Sequence, residues 1–320
     1  MFQVTQLIAA PPLPDWAEDV RRGLTASPRR LPAYLLYDAR GSALFEAITQ
    51  LPEYYLTRTE RAILRAHAST IATHSGPAAS VVELGAGTAT KTRVVLDAVR
   101  AIRGSVAFHP IDVSRDALDT ATRALGGPGI SVHPLVGRYE DALPLLDGLP
   151  GPRLVLFIGS SAGNLGPVGA LRLLTRVRRS LVRGDCLVLG ADLPKKPGVL
   201  LPAYDDAAGV TAAFEKNVLV RLNRELGADF EPDAFEYRAT WDARASCVRM
   251  GLESLRAQTV HLPALGLTLR LARGEHVETE RSYKWSTHVQ QQLLARAGFK
   301  PERVFTDARG WFAVHLARVP

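Results

Sequence analysis

The stretch that most restricts how this chain can fold is Val81-Val82-Glu83-Leu84-Gly85-Ala86-Gly87-Thr88-Ala89-Thr90-Lys91. A short apolar run enters a glycine loop, and helical spacing follows over 91–101. Glycine accepts positive φ and lets another group approach the backbone closely. In open α/β sheets ligands sit at the carboxyl ends of the strands, which is where this loop falls. The dinucleotide fingerprint G-x-G-x-x-G does not fit, because counting from Gly85 its last glycine is Thr90. Glu83 precedes the loop, and Asp112 ends the next apolar run. A carboxylate at the second position is placed to accept both hydroxyls of a ribose. Ribose without a pyrophosphate loop points to an adenosine cofactor such as S-adenosylmethionine. A nicotinamide dinucleotide site and a purely structural turn are the alternatives.

Strand and helix patterns alternate around this loop. Residues 80–84, 106–111, 130–136, 154–158 and 186–189 read as strands. Ser114 opens a helix that Asp116 and Asp119 favour through charge near its start. Residues 167–181 have amphipathic helical spacing. Such alternation predicts a mostly parallel sheet covered by helices. Residues 1–60 read as helical and irregular, with Pro11, Pro12 and Pro14 delaying a first helix that Asp15 is placed to cap. Residues 193–202 hold three prolines and two lysines and read as a connection. A long helix is expected over 205–226. Alternating segments at 235–241, 247–255 and 258–262 then suggest antiparallel strands of a separate lobe. A helix over 287–298, ended by Gly298, and two strands within 304–317 return the chain to the first sheet.

Length and composition set limits. The 320 residues, 47% of them apolar, suit a core domain plus a smaller one. Cys186 and Cys247 make no disulfide framework and show no metal-ligand spacing, so they read as buried thiols in a reducing cytoplasm. Nothing approaches the roughly 20 apolar residues of a membrane span. The N-terminal MFQVTQLIAAPPLPDW lacks a basic start, and prolines break its apolar run, so no targeting segment is expected. The net charge of +7 comes from scattered arginines, among them Arg21, Arg22, Arg29, Arg30, Arg176, Arg178 and Arg179. Without interleaved aromatics they read as a solvated surface, not a nucleic-acid or membrane face. A cytoplasmic monomer with a small-molecule substrate and no metal is expected.

One motif argues for different chemistry. Residues 157–163, FIGSSAG, contain G-x-S-x-G with Ser161 central, after a strand, as a hydrolase nucleophile elbow requires. His288 and His315 lie downstream. Against this, Asn164-Leu165-Gly166-Pro167 prolongs the loop where a helix should begin, and the first glycine loop would be left without a role. The competing reading makes Gly159 to Asn164 the floor of a substrate site.

Five strings carry a family resemblance: LPEYYLTRTE (51–60), ELGAGTATKT (83–92), FIGSSAGNL (157–165), AYDDAAGVTAAF (203–214) and TERSYKW (279–285). From about residue 31 onward the chain resembles the histidine-specific Nα-methyltransferases of ergothioneine biosynthesis. The resemblance implies an α/β fold, a Rossmann-like class I methyltransferase core with a second, smaller α+β substrate-binding lobe. The core would comprise 61–195 and 287–320, and the lobe 1–60 and 196–286. The implied reaction is three methyl transfers from S-adenosylmethionine to the α-amino group of L-histidine, giving hercynine and S-adenosylhomocysteine. An N-methyltransferase for another amino acid or amine, and a serine hydrolase using Ser161, are the other readings.

Carried over residue by residue, the cofactor positions are Gly85, Gly87, Lys91, Asp112, Arg138 and Tyr139. The amino-acid positions are Tyr55, Asn164, Tyr204, Met250, Glu280 and Ser282. Asn164 and Tyr204 offer donors to a carboxylate, and otherwise serve as a turn residue and a packing residue at a helix start. Glu280 and Ser282, two apart on a strand, share a face and suit the two imidazole nitrogens. Glu280 is alternatively an exposed acid beside Arg281. Tyr55 and Met250 also suit a core. Lys91 opening a helix is mildly unfavourable, which hints at an anionic partner such as the cofactor's carboxylate. Relatives carry an acid-aromatic pair where this chain has Arg138 and Tyr139. Arg138 cannot accept a hydrogen bond from the adenine amino group, while Tyr139 is placed to stack and Glu140 is adjacent. Leu56 replaces a proline of the relatives. No obligatory catalytic base is expected, because an activated methyl donor needs chiefly a positioned neutral amine.

Overall fold

The structure, a computed structural model, describes residues 5–6 and 14–320. Pro11 and Pro12, and most of the segment read for targeting signals, lie outside the described residues; the first helix is Pro14–Thr25. The chain divides into two compact units. The first comprises Met1–Ile8, Leu56–Pro194 and Lys284–Pro320, and the second Ala9–Tyr55 and Lys195–Tyr283.

The first unit is built on one twisted α/β sheet. Its order is Thr5–Gln6, Leu135–Val136, Val106–Asp112, Ser80–Leu84, Arg153–Phe157, Cys186–Asp192, Phe312–Arg318 and Lys300–Thr306, with Ile130–Val132 also paired to Val106–Asp112. The pairs are parallel as far as Cys186–Asp192. The last two strands are antiparallel. Ser80–Leu84, Arg153–Phe157 and Cys186–Asp192 are buried at every position, as central parallel strands covered on both faces must be. The order reverses beside Ser80–Leu84, so the glycine loop opens at a topological switch point. This is a Rossmann-like arrangement, and the C-terminal strands do return to the first sheet.

Several boundaries differ from the sequence reading. The strand expected at 130–136 is two short ones, Ile130–Val132 and Leu135–Val136. Pro134 between them has no N–H to give the ladder. The helix expected from Lys91 runs over Arg93–Arg103, so Lys91 lies in the turn before it. Ser114 caps Arg115–Leu125, accepting the Ala117 N–H, and Gly298, at φ +93°, follows the helix Thr287–Arg296.

Where the first unit gives up the chain and takes it back, a buried ion pair marks both points. Asp192 ends its strand, Lys284 begins the return, and their charges meet at 3.0 Å with both side chains fully buried.

The second unit has a sheet of order Arg29–Arg30, His276–Tyr283, Cys247–Ser254, Phe235–Asp242, and a hairpin of Gln258–Leu262 with Leu267–Leu271. The hairpin's second strand was not read from the sequence, although Leu267-Thr-Leu-Arg-Leu271 alternates as strands do. The helix expected from 205 begins at Val210. Asp206 accepts the Val210 and Thr211 N–H groups instead, at 2.9 and 2.7 Å, and Gly209 sits at φ +73°. That helix, Val210–Leu226, is tied to Ala39–Gln50 through Asp38. The Asp38 carboxylate accepts from Gly41 N, Asn217 Nδ2 and Arg224 Nη2. Together these hydrogen bonds and the Arg224 charge hold it below the usual carboxylate range against its burial.

Candidate active site

The glycine loop leaves Ser80–Leu84 and folds back on the neighbouring strand. Gly85 and Ala86 N–H groups both donate to Ile111 O, at 2.9 and 3.0 Å. Gly85 and Gly87 have φ of +70° and +53°, and a methyl built on either meets no atom within 4 Å. The loop thus presents an open backbone face, as close approach of a nucleoside requires. Asp112 fixes the loop's far side: one oxygen accepts Gly87 N–H at 2.8 Å, the other Ser114 N–H at 2.9 Å. Burial raises its pKa, and the amide donors at Ser114, Gly87 and Val113 oppose that rise. A carboxylate has about four acceptor sites, so beyond these amides Asp112 keeps acceptor capacity at the edge of the loop.

Glu83 lies behind the loop, buried, and accepts the Thr92 hydroxyl at 2.6 Å. Burial pushes it up to about 8, with Glu60 and Asp112 adding to the rise while Thr92 and Lys91 oppose it. Lys91 has found an anionic partner within the protein: its ammonium lies 2.5 Å from Glu60 Oε2. The cofactor is therefore not needed to explain a cation at this point of the chain. Arg138 is exposed and precedes the short helix Tyr139–Ala142, with its Nε 3.8 Å from Glu140 Oε2. The Tyr139 ring packs 5.8 Å from Phe157, and burial keeps its phenol protonated.

After Arg153–Phe157 the backbone makes a sharp turn, with Gly159 at φ +82° and Ser160 at φ +63°. The helix Ser161–Leu165 that follows is a single 3-10 stretch carrying Asn164. The hydrolase arrangement is not formed. The left-handed residue is Ser160, not Ser161, and the Ser161 hydroxyl donates to Ile158 O at 3.3 Å. His315 is buried against Gln290 at 2.7 Å, its pKa pushed down by burial to about 4. His288 is exposed and bonded to Gln292.

The remaining amino-acid positions belong to the second unit. Tyr204 and Ser282 hydroxyls meet at 3.0 Å, and Tyr237 donates to Tyr204 O at 2.5 Å. Ser282, expected to serve a ring nitrogen alone, is thus joined to the residue expected to hold the carboxylate. Met250 and Glu280 are cross-strand partners, as are Val248 and Ser282, so Glu280 and Ser282 share a face. A bulge between Met250 and Gly251 leaves Thr279 as the extra residue. Arg281 turns away to Glu278, at 2.5 Å. Tyr55 accepts from Lys195 Nζ at 2.8 Å.

Sequence reasoning missed Glu60, Lys195 and Glu215. Glu60 stood in a matched string without a role. Glu215 sits on Val210–Leu226, fully buried, with neither oxygen hydrogen-bonded. Burial, and the nearby charge of Glu280, raise its pKa well above the carboxylate range. Among the described residues, no cluster of histidine, cysteine and acid side chains is placed to hold a metal, and no helix is long and apolar enough to cross a membrane.

A family model described as histidine-specific methyltransferase, SAM-dependent, matches residues 16–319. A histidine N-alpha-methyltransferase of Mycolicibacterium smegmatis is 46% identical over 301 residues, 93% of each chain. Its namesake in Mycobacterium tuberculosis is 41% identical over 302 residues, again 93% of each. Ergothioneine biosynthesis protein 1 of Neurospora crassa is 30% identical over 298 residues, which are 90% of this chain and 33% of that one.

Proposed function

This chain belongs to the histidine-specific, S-adenosylmethionine-dependent methyltransferases, and from that premise we infer that it trimethylates the α-amino group of L-histidine to hercynine in ergothioneine biosynthesis. The core is accordingly a class I methyltransferase fold. The observation that carries the reading is the open loop at Gly85 and Gly87, closed by Asp112 at the sheet's switch point, in a chain so similar to the mycobacterial enzymes.

S-adenosylmethionine supplies an activated methyl group on a sulfonium. The residues have the remaining work of holding both reactants. We assign the ribose hydroxyls to Asp112, and the cofactor's carboxylate to those Lys91 protons not directed at Glu60. Tyr139 offers its ring face to the adenine, and Arg138, having donors only, suits the ring nitrogens and not the amino group. Asn164 and Tyr204 serve the amino-acid carboxylate. Glu280 accepts from an imidazole N–H, beside Met250 and Ser282, and Tyr55 completes this set. Recognition of the amino acid is thus assigned largely to the second unit. The amine must arrive neutral and in line with the methyl, and positioning of this kind supplies much of the acceleration. We expect a cytoplasmic monomer.

Mass spectrometry tests the reading. The purified protein is incubated with S-adenosylmethionine and a mixture of the common amino acids. Histidine alone should gain three methyl-for-hydrogen exchanges. Methylation of a different amino acid would overturn the substrate, and hydrolysis of an ester probe abolished by Ser161→Ala would overturn the enzyme class.

A further inference from the structure

Glu60 is an acidic residue in the second turn of the helix Tyr55–His74, and its side chain is wholly buried. Burying a carboxylate costs several kcal/mol unless it is fully paired. Here it is paired twice, with two different elements. One oxygen is 2.5 Å from Lys91 Nζ, beside the glycine loop. Both oxygens lie within reach of Gly159 N–H, at 2.9 and 3.0 Å, where the Asn164 turn begins.

Two glycines make the room. A Cβ on Gly190, in the strand Cys186–Asp192, would lie 1.9 Å from Glu60 Oε1. A Cβ on Gly159 would lie 3.2 Å from Lys91 Nζ. The turn is also held from its other side, where Ser160 Oγ accepts the Asp192 N–H at 3.1 Å.

We propose that Glu60 is a positioning residue for methyl transfer: its one carboxylate sets the Lys91 ammonium and the Gly159–Asn164 turn relative to each other. The cofactor side and the amino-acid side of the site are thereby adjusted together. The proposal rests on the assignment of Lys91 to the cofactor's carboxylate. Glu60 touches neither reactant and acts through Lys91 and the Gly159 amide.

The experiment is a double-mutant cycle on the full chain, with Glu60→Gln, Lys91→Met and both, reading the dissociation constant of S-adenosylhomocysteine by calorimetry. The Glu60→Gln side chain retains an acceptor for Gly159 N–H but turns an amide donor or a neutral oxygen toward Lys91. Each single variant should bind at least about tenfold more weakly, and the double no more than about threefold worse than Lys91→Met, because coupled partners are not additive. Losses that multiply would overturn the proposal, since they would mark Glu60 as a structural acid independent of Lys91. Tighter binding by Glu60→Gln would also overturn it, by showing that Glu60 merely competes for the ammonium. Glu60→Asp keeps the charge but withdraws it by one methylene, and binding like the parent's would equally defeat a positioning role. Failure of the unaltered protein to bind S-adenosylhomocysteine would sink the cofactor assignment, and the proposal with it.

Discussion

Three of the buried acids, Glu60, Glu83 and Glu215, answer to different physics. Glu60 is ion-paired. Glu83 and Glu215 have no cation hydrogen-bonded to them, and burial shifts both toward the neutral form. Glu83 titrates near 4.5 in an unfolded chain and at about 8 here. Between those values the folded protein holds a proton that the unfolded chain has released. The stabilisation is complete below pH 4.5 and is lost as pH rises through about 8, at up to about 1.4 kcal/mol per pH unit. Glu83→Gln should remove one proton's worth of that slope in urea unfolding followed from about pH 5 to about pH 8; an unchanged slope would show the acid to be ionised. Glu280 makes a different kind of prediction. A pocket that hydrogen-bonds a polar ring rejects analogues that leave its acceptor unpaired. Glu280→Ala should lower histidine kcat/KM by about tenfold or more and relax selectivity toward tryptophan, an effect on the scale of a lost charged hydrogen bond. Unaltered histidine kinetics would remove Glu280 from the site.

Elements carry the next level of control. The bulge at Met250/Gly251 adjoins Glu280, and the residue facing it across the strands is a glycine. A Cβ on Gly251 would lie 2.3 Å from His276 Nε2 and 2.5 Å from Val277 O. Gly251→Ala should therefore cost about 1–3 kcal/mol of stability, as overpacking does, and depress histidine kcat/KM with it. A normal urea midpoint together with normal kinetics would mean that the strand absorbs the methyl. Elements with local signals were legible in the sequence. Ser114 before a helix, the apolar runs at 80–84 and 106–111, and the glycine loop all resolve within a few residues. What depends on distant partners was not legible. Glu60 has no role in the sequence reading until Gly159 and Lys91, 99 and 31 residues away, are placed beside it. Asp206 hides a helix start because its carboxylate replaces the first turn. The site residues themselves came chiefly from resemblance, since spacing alone left Tyr55, Met250 and Glu280 open to ordinary structural roles.

At the scale of the whole molecule, neither unit is a continuous segment. The first needs residues from beyond 283 to finish its sheet, because Phe312–Arg318 pairs along the full length of Cys186–Asp192. A chain ending at residue 283 should leave that central strand with an open edge, which is prone to aggregation. Its soluble yield should fall sharply and S-adenosylhomocysteine binding should vanish; a soluble, binding-competent truncation would show that the parallel strands suffice. The Asp192–Lys284 pair gives this interruption a particular character. The two ends of the stretch 195–283 depart from neighbouring points fixed by a fully buried charge contact. To the core that stretch is a closed loop, and lengthening a loop whose ends are already held adds little entropy cost. The core thus has the layout of a socket. The stretch carried between its two pins can change in length while the pins themselves stay where they are.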